Sequence, residues 1–425
     1  MGKRIGIIAE YNPFHNGHLY QIQKAKELTG ADTVIAVMSG NFTQRGETSL
    51  VNKFEKTKIA LQNEVDMVIE LPTIYSISSA ENFALGGIKI LNEIGNIDYL
   101  VFGIEEDNLQ ELQAIADVLV NENYEFKSKI KTELDKGNSY PKAREIALKK
   151  VLSSENVENI MQKPNNILAI EYLKALKITN SRIKPFAIKR KNSMHHDKNI
   201  NENYASGTYI RKLFLENNFD EISKVVPKYT YEKLLKLKSQ GTYVTSINDF
   251  SDIVIYKIRM ITKEEISKIA DVNEGLENSI KLASTTCKTI DEIIDKVSTK
   301  RYTKTRISRI LTYILLDITK SDMEQSKNND PYIRVLGINK KCEEILSTIN
   351  NNKLITSLKK FEENNGENEL LNIDKKATEI YTIKYPKSVD ANLDYTSKFK
   401  SKYNITIGLH SLNKYLLNNI ILMRK

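Results

Sequence analysis

Two imidazoles stand three residues apart around a glycine in Tyr11-Asn-Pro-Phe-His15-Asn-Gly17-His18. From the chain's own histidine and glycine content, a chance His-x-Gly-His is expected about 0.002 times. Such a set at a helix start suits a nucleotide. Free helix N–H groups and the positive dipole end attract phosphate, and the glycine lets it approach the backbone. His15 and His18 can donate to phosphate oxygens and stabilise charge developing at an α-phosphate. The plainer alternative is one capping histidine and one surface histidine. A metal pair would need a third ligand, and none is near in sequence, so no metal ligand is assigned. Farther on, Ser206-Gly-Thr208-Tyr-Ile-Arg211 offers two hydroxyls and a guanidinium at another helix start, where a serine on its own reads only as an N-cap. Arg190, between Lys189 and Lys191, leaves a strand end where it suits phosphate, with a surface charge as the alternative. The adjacent His195 and His196 diverge from one another and read as surface loop.

Alternating strand and helix signals position these groups. The apolar run 5–9 stops at Asn12-Pro13 and reads as a buried strand, and a helix follows over 17–28 with Gly30 past its end. Strands over 33–38, 66–71 and 99–103 alternate with helices over 53–63 and 79–94. After a charged, helical insertion over 108–160 come a helix over 165–176, a strand over 183–190 and a helix from 208. This is the pattern of an α/β, Rossmann-like doubly wound parallel sheet. Its ligands bind beyond the C-terminal strand ends, in the loops after Ile8, Met38, Leu71 and Phe102. Beyond Pro227 the periodicity is helical almost throughout, as in Ile307, Ile310, Leu311, Ile314 and Ile318. The expected division is a catalytic domain over 1–225 and a mainly α-helical, basic domain over 226–425.

At 425 residues, with 40% hydrophobic and 28% charged side chains, the chain has the composition of an ordinary soluble protein of two or three domains. No apolar run is long enough to span a membrane. The apolar stretch at the N-terminus is too short for a signal peptide, and Gly6 stands where a myristoylation signal has Ser or Thr. Cys287 and Cys342 make no disulfide framework. A cytoplasmic protein without an evident obligate protein partner is expected. The net charge of +9 lies wholly after residue 210. Its sharpest cluster is Lys296, Lys300, Arg301, Lys304, Arg306 and Arg309, six cations in 14 residues around Tyr302. Either this is a solvated helix face, or it binds a polyanion such as an RNA backbone. The second reading assigns Lys300, Arg301, Lys304, Arg306 and Arg309 to RNA.

Five segments together carry a resemblance: Ile7-Ile-Ala-Glu-Tyr-Asn-Pro-Phe-His-Asn-Gly-His18, Val37-Met-Ser-Gly-Asn-Phe-Thr-Gln-Arg-Gly46, Ser79-Ala-Glu-Asn-Phe-Ala-Leu-Gly-Gly87, Pro164-Asn-Asn-Ile-Leu-Ala169 and Lys300-Arg-Tyr-Thr303. With these the chain resembles the bacterial tRNA(Met) cytidine acetate ligase family, within the His-x-Gly-His nucleotidylyltransferase superfamily. The resemblance implies a two-step reaction. Acetate and ATP give acetyl-adenylate and pyrophosphate, and the acetyl group passes to the wobble cytidine of elongator tRNA(Met), making N(4)-acetylcytidine. It also implies an ATP site at Ile7, Ile8, Ala9, Glu10, Tyr11, Asn12, Pro13, Phe14, His15, Asn16, Gly17, His18, Leu19 and Tyr20, joined by Gly103, Asn165 and Arg190. Ser206, Thr208 and Arg211 match the superfamily's triphosphate motif. Catalysis would then fall to His15, His18 and Arg211.

The residues support most of these roles by themselves. Gly103 ends a strand where a ribose or adenine can pack on backbone. Asn165 follows Pro164 at a helix start, where capping by Asn165 or Asn166 is the alternative. Asn41, Gln44 and Arg45 follow the second strand and are assigned to acetate or cytidine. A carboxylate nucleophile needs no general base, and Mg²⁺ is expected to share the neutralisation of the triphosphate. A small-molecule adenylyltransferase making a dinucleotide or coenzyme precursor fits the N-terminal half equally well. The basic helical half argues against it, and the intact histidine and Thr208–Arg211 sets argue against a non-catalytic RNA-binding protein.

Overall fold

The computed structural model describes residues 2–105, 108–190, 203–397, 399–400 and 405–407. His195, His196 and Lys191 lie outside the described residues.

Strand β1, Lys3–Ala9, is buried along its interior, as a strand covered on both faces must be. It pairs in parallel with β2, Ala31–Ser39, and with β4, Tyr99–Ile104. Beyond β2 lies β3, Met67–Leu71, and beyond β4 lies β5, Lys184–Lys189, both parallel. The order β5-β4-β1-β2-β3 therefore reverses between β1 and β4, which opens a crevice at their C-terminal ends. The helices anticipated from periodicity form with nearly the expected ends: Asn16–Thr29, Lys53–Gln62, Ala80–Ile94, Pro164–Ile178 and Gly207–Leu215. The 108–160 insertion folds as four helices, which bury Leu112, Ile115, Phe126 and Ile160.

The chain after 226 departs from the expected division. Helices do run from Lys228–Gln240 to Lys320–Asn328. Then β6, Ile333–Asn339, returns to the main sheet, antiparallel to β3, and carries β7, Leu354–Ile355, on its flank. The short strands β8, Phe399–Lys400, and β9, Ile405–Ile407, extend the same sheet past β6. Arg334 hid this strand, since a charge at its second position argues against a buried one. Its guanidinium is instead buried between Glu70 at 3.0 Å and Asp394 at 2.7 Å, and Lys53 reaches the same two carboxylates at 2.7 and 2.8 Å. One apolar cluster runs from Ile35 and Val37 of the sheet to Ile307, Ile310 and Leu311 of the helical part. The sheet and the helical part thus share one apolar core.

Candidate active site

The crevice is a cleft of about 490 Å³ at the ends of β1 and β4. Its floor is Ile7 to Pro13, and His15, His18, Gly103, Asn165, Arg190, Ser206, Thr208 and Arg211 all line it.

His15 is the N-cap of the Asn16–Thr29 helix, and its Nδ1 accepts the Gly17 N–H at 3.1 Å. His18 closes the box from the other side, its Nδ1 accepting the His15 N–H at 3.2 Å. The rings stack with centroids 3.7 Å apart. Both Nδ1 atoms are thus acceptors, so each neutral ring must carry its proton on Nε2. Burial, with Arg190 beside it, lowers the His15 pKa to about 3; burial, His15 and Arg190 hold His18 well below its ordinary value. Two neutral Nε2–H donors side by side are what a charge-gaining phosphate requires. Capping uses only the Nδ1 atoms, so it does not compete with ligand binding through Nε2–H. Gly17 has a further reason to lack a side chain: a Cβ there would stand 2.9 Å from the His15 ring.

Four arginines line the same space, Arg190, Arg211, Arg309 and Arg45. Arg190 donates to Asn165 Oδ1 at 3.4 Å, while its Nε is buried without a hydrogen-bond partner among the described residues. Gly103 lines the cleft with the Arg190 stem against it, where a Cβ would stand 3.2 Å from that stem. Asn165 is fixed by Glu105, to which its amide donates. Its neighbour Asn166 is fully buried and accepts the Glu105 N–H at 2.9 Å. Neither asparagine caps the helix, whose N-cap is Lys163. Arg211 donates to the Asn12 carbonyl at 2.9 Å and to Thr208 Oγ1 at 3.3 Å. Ser206 caps the Gly207–Leu215 helix through the Tyr209 N–H, so a second helix N-terminus opens on the cleft. Arg309 is the third arginine, reaching the cleft with Thr305 from the Lys304–Leu316 helix.

Beneath the strand ends Lys56 is buried and donates to the carbonyls of Glu10 at 2.9 Å and Ser39 at 2.7 Å, and to Ser49 Oγ at 3.0 Å. Burial lowers its pKa to about 7. Asn12 ties the first loop to the second, accepting the Leu50 N–H at 2.8 Å and donating to the Thr48 carbonyl at 3.1 Å. These bonds tie together the two loops that border the cleft.

Several expected residues sit elsewhere. Asn41 is buried, accepting the Lys53 N–H and donating to Thr378, so it holds the Lys53–Gln62 helix and does not reach the cleft. Gln44 and Arg45 do line it, and the Gln44 N–H is held by Glu10 Oε1 at 2.8 Å. Phe14 packs in the core, and neither Asn16 nor Leu19 lines the cleft; Gly17 and Tyr20 border a small cavity behind the histidines. Of the basic cluster, Arg301 pairs with Glu274, Lys304 with Asp295 at 2.6 Å, and Arg306 donates to the Asp271 carbonyl at 2.9 Å. Lys300 lies on the exposed flank. Residue types and spacing assigned no role to Glu47, Glu105, Phe83, Phe102 or Tyr172. Glu105 stands one residue past the end of β4, and a carboxylate at a strand end was the available signal; Glu47 lies in the long loop after β2, where no such signal exists.

Residues 2–395 match the family model described as HIGH Nucleotidyl Transferase. A tRNA(Met) cytidine acetate ligase of Thermoanaerobacter sp. is 42% identical over 394 residues, 92% of this chain and 98% of that protein. Another, of Caldicellulosiruptor saccharolyticus, is 44% identical over 386 residues, 90% of this chain and 94% of that one. The apo crystal structure of Thermotoga maritima TmcAL superposes with a TM-score of 0.87 at 32% identity, covering 93% of this chain and 98% of that one. The same protein bound with alpha-thio ATP gives 0.85 at 31% identity, covering 92% and 98%.

Proposed function

The chain belongs to the HIGH nucleotidyl transferase family and, within it, to the tRNA(Met) cytidine acetate ligases, and from that premise we infer that it joins acetate to a tRNA cytidine while cleaving ATP to AMP and pyrophosphate. The observation that carries the reading is the locked pair of Nε2–H donors in one cleft with Arg190 and Arg211.

In the first step acetate, already ionised at neutral pH, needs no base. One of its oxygens bonds to the α-phosphorus while the bond from that phosphorus to the β-phosphate bridging oxygen breaks. His15 and His18 donate to the α-phosphate oxygens, and Arg190, Arg211 and the Gly207–Leu215 helix start hold the departing pyrophosphate. In the second step N4 of the cytidine bonds to the acyl carbon, the bond to AMP breaks, and N4 gives up a proton. The base is a weak nucleophile, so close placement has to carry this step, and it must leave its stack to arrive. The target is the wobble cytidine of elongator tRNA(Met).

Among the described residues no group of three or more His, Cys, Asp or Glu is arranged to hold a metal ion. Mg²⁺ held mostly by phosphates and water needs only one or two carboxylates. Glu10, with one oxygen on the Gln44 N–H and a second to offer, fits that role. When bound, Mg²⁺ neutralises triphosphate charge. No described helix is long and apolar enough to cross a membrane, and a tRNA substrate puts the work in the cytoplasm.

ATP–pyrophosphate exchange without RNA, over a panel of small carboxylates, tests the first step. Acetate should support exchange best. Exchange with no carboxylate, alongside nucleotidyl transfer to a metabolite, would favour a small-molecule adenylyltransferase instead.

A further inference from the structure

The turn after β2 and the basic helix meet at the mouth of the cleft. Gly46 has φ +74°, and a Cβ on it would lie 2.5 Å from the Ser308 carbonyl carbon and 2.6 Å from the Arg309 nitrogen. Its carbonyl accepts from Thr312 Oγ1 at 2.8 Å and from Ser308 Oγ at 3.4 Å. Backbone therefore rests on backbone, and the turn that ties to Glu10 through the Gln44 N–H is also seated on the helix. This contact brings Arg45 and Arg309 together in the lining of the cleft.

The two differ from the cations around them. Arg301, Lys304 and Arg306 are engaged by acids or carbonyls of neighbouring helices. Tyr302, which lies among these cations, is flanked by Arg301 and Arg306 at 5.7 and 5.1 Å. Arg309 pairs more loosely, with Asp271 at 3.7 Å and beside the Tyr313 hydroxyl, and its buried Nε has no hydrogen-bond partner among the described residues. Arg45 is exposed. Deeper in the cleft Arg190, Arg211 and two imidazoles already answer one triphosphate, so cations at the rim suit a second anion.

We propose that Arg45 and Arg309 hold the RNA backbone on either side of the target nucleotide, so that its unstacked base enters the cleft between the 43–47 turn and the Lys304–Leu316 helix. This rests on the RNA-acetylation reading and adds to it the acceptor's point of entry. The ligand class is a single nucleotide turned out of an RNA loop, gripped through phosphate and presented to the adenylate. Both arginines act as positioning residues.

The test uses full-length enzyme with Arg45→Gln, Arg309→Gln and Arg309→Lys, and two readouts: acetate-dependent ATP–pyrophosphate exchange without RNA, and acetyl transfer to tRNA(Met) over a range of salt. Transfer kcat/KM should fall about 10- to 100-fold in each Gln variant, with the salt slope shallower by about one per arginine removed. Exchange should fall far less, and Arg309→Lys should keep the wild-type slope with part of the rate. Parallel losses in both readouts would assign the arginines to the triphosphate and overturn the proposal. So would variants with wild-type transfer and slope. Wild-type enzyme that exchanges pyrophosphate but labels no RNA would overturn the functional reading itself, and this proposal with it.

Discussion

His15 and His18 hold each other in place before any ligand arrives. Because each Nδ1 accepts a backbone N–H, the reactive edge of each ring is a fixed donor, and burial keeps both rings neutral. Two consequences follow for pH. Exchange should show no histidine limb between pH 6 and 8 in a rate profile, whereas an inflection near the ordinary histidine value would mean that a charged ring takes part. The folded pKa of His15, about 3, lies below its unfolded value, so the unfolded chain binds the extra proton between them. Folding stability contributed by this pair is therefore present above about pH 6.5 and is lost as pH falls from there toward 3, which urea midpoints across that range will show. His18→Ala should abolish exchange. His15→Ala should do the same and cost about 1 kcal/mol more in stability for the lost cap. Residue types alone revealed this pair, because the motif is rare. They did not reveal which of Asn165 and Asn166 faces the cleft, or that Asn41 turns inward, since an asparagine looks the same in sequence whether it binds a ligand or a helix end.

Elements were legible wherever one period dominated. β1 to β5 and their crossover helices fall within a few residues of the expected positions. β6 did not, because Arg334 interrupts its apolar run, and only the fold supplies the partners Glu70 and Asp394. Against the effect of burial, Arg334 and Lys53 hold the Asp394 carboxyl below its usual range. Removing one member strands the others: Lys53→Met should cost about 3–5 kcal/mol, read as a lower urea midpoint. A loss under 1 kcal/mol would show that water or rearrangement satisfies the remaining charges. The Gly46 turn was equally hidden, for nothing in sequence says that it rests on residues some 260 positions away.

At the scale of the molecule, charge and chemistry segregate in sequence but not in space. The positive excess lies after residue 210, yet Thr305 and Arg309 line the cleft, and β6 covers the edge of β3. The Asp374 carboxylate accepts the Thr73 N–H at 2.7 Å, and the Tyr381 hydroxyl donates to the Ser49 carbonyl at 2.7 Å. A fragment ending near residue 225 should therefore fail to fold, exposing β3 as a sticky edge; a monomeric, ATP-binding fragment in gel filtration and calorimetry would contradict the shared core. The fate of the acetate carbon distinguishes RNA acetylation from every rival activity. Full-length enzyme given ATP, labelled acetate and elongator tRNA(Met) should place the label on N4 of the wobble cytidine, with one AMP and one pyrophosphate per acetyl group. Release of ADP and phosphate, or AMP and pyrophosphate formed with no label in the RNA, would contradict it.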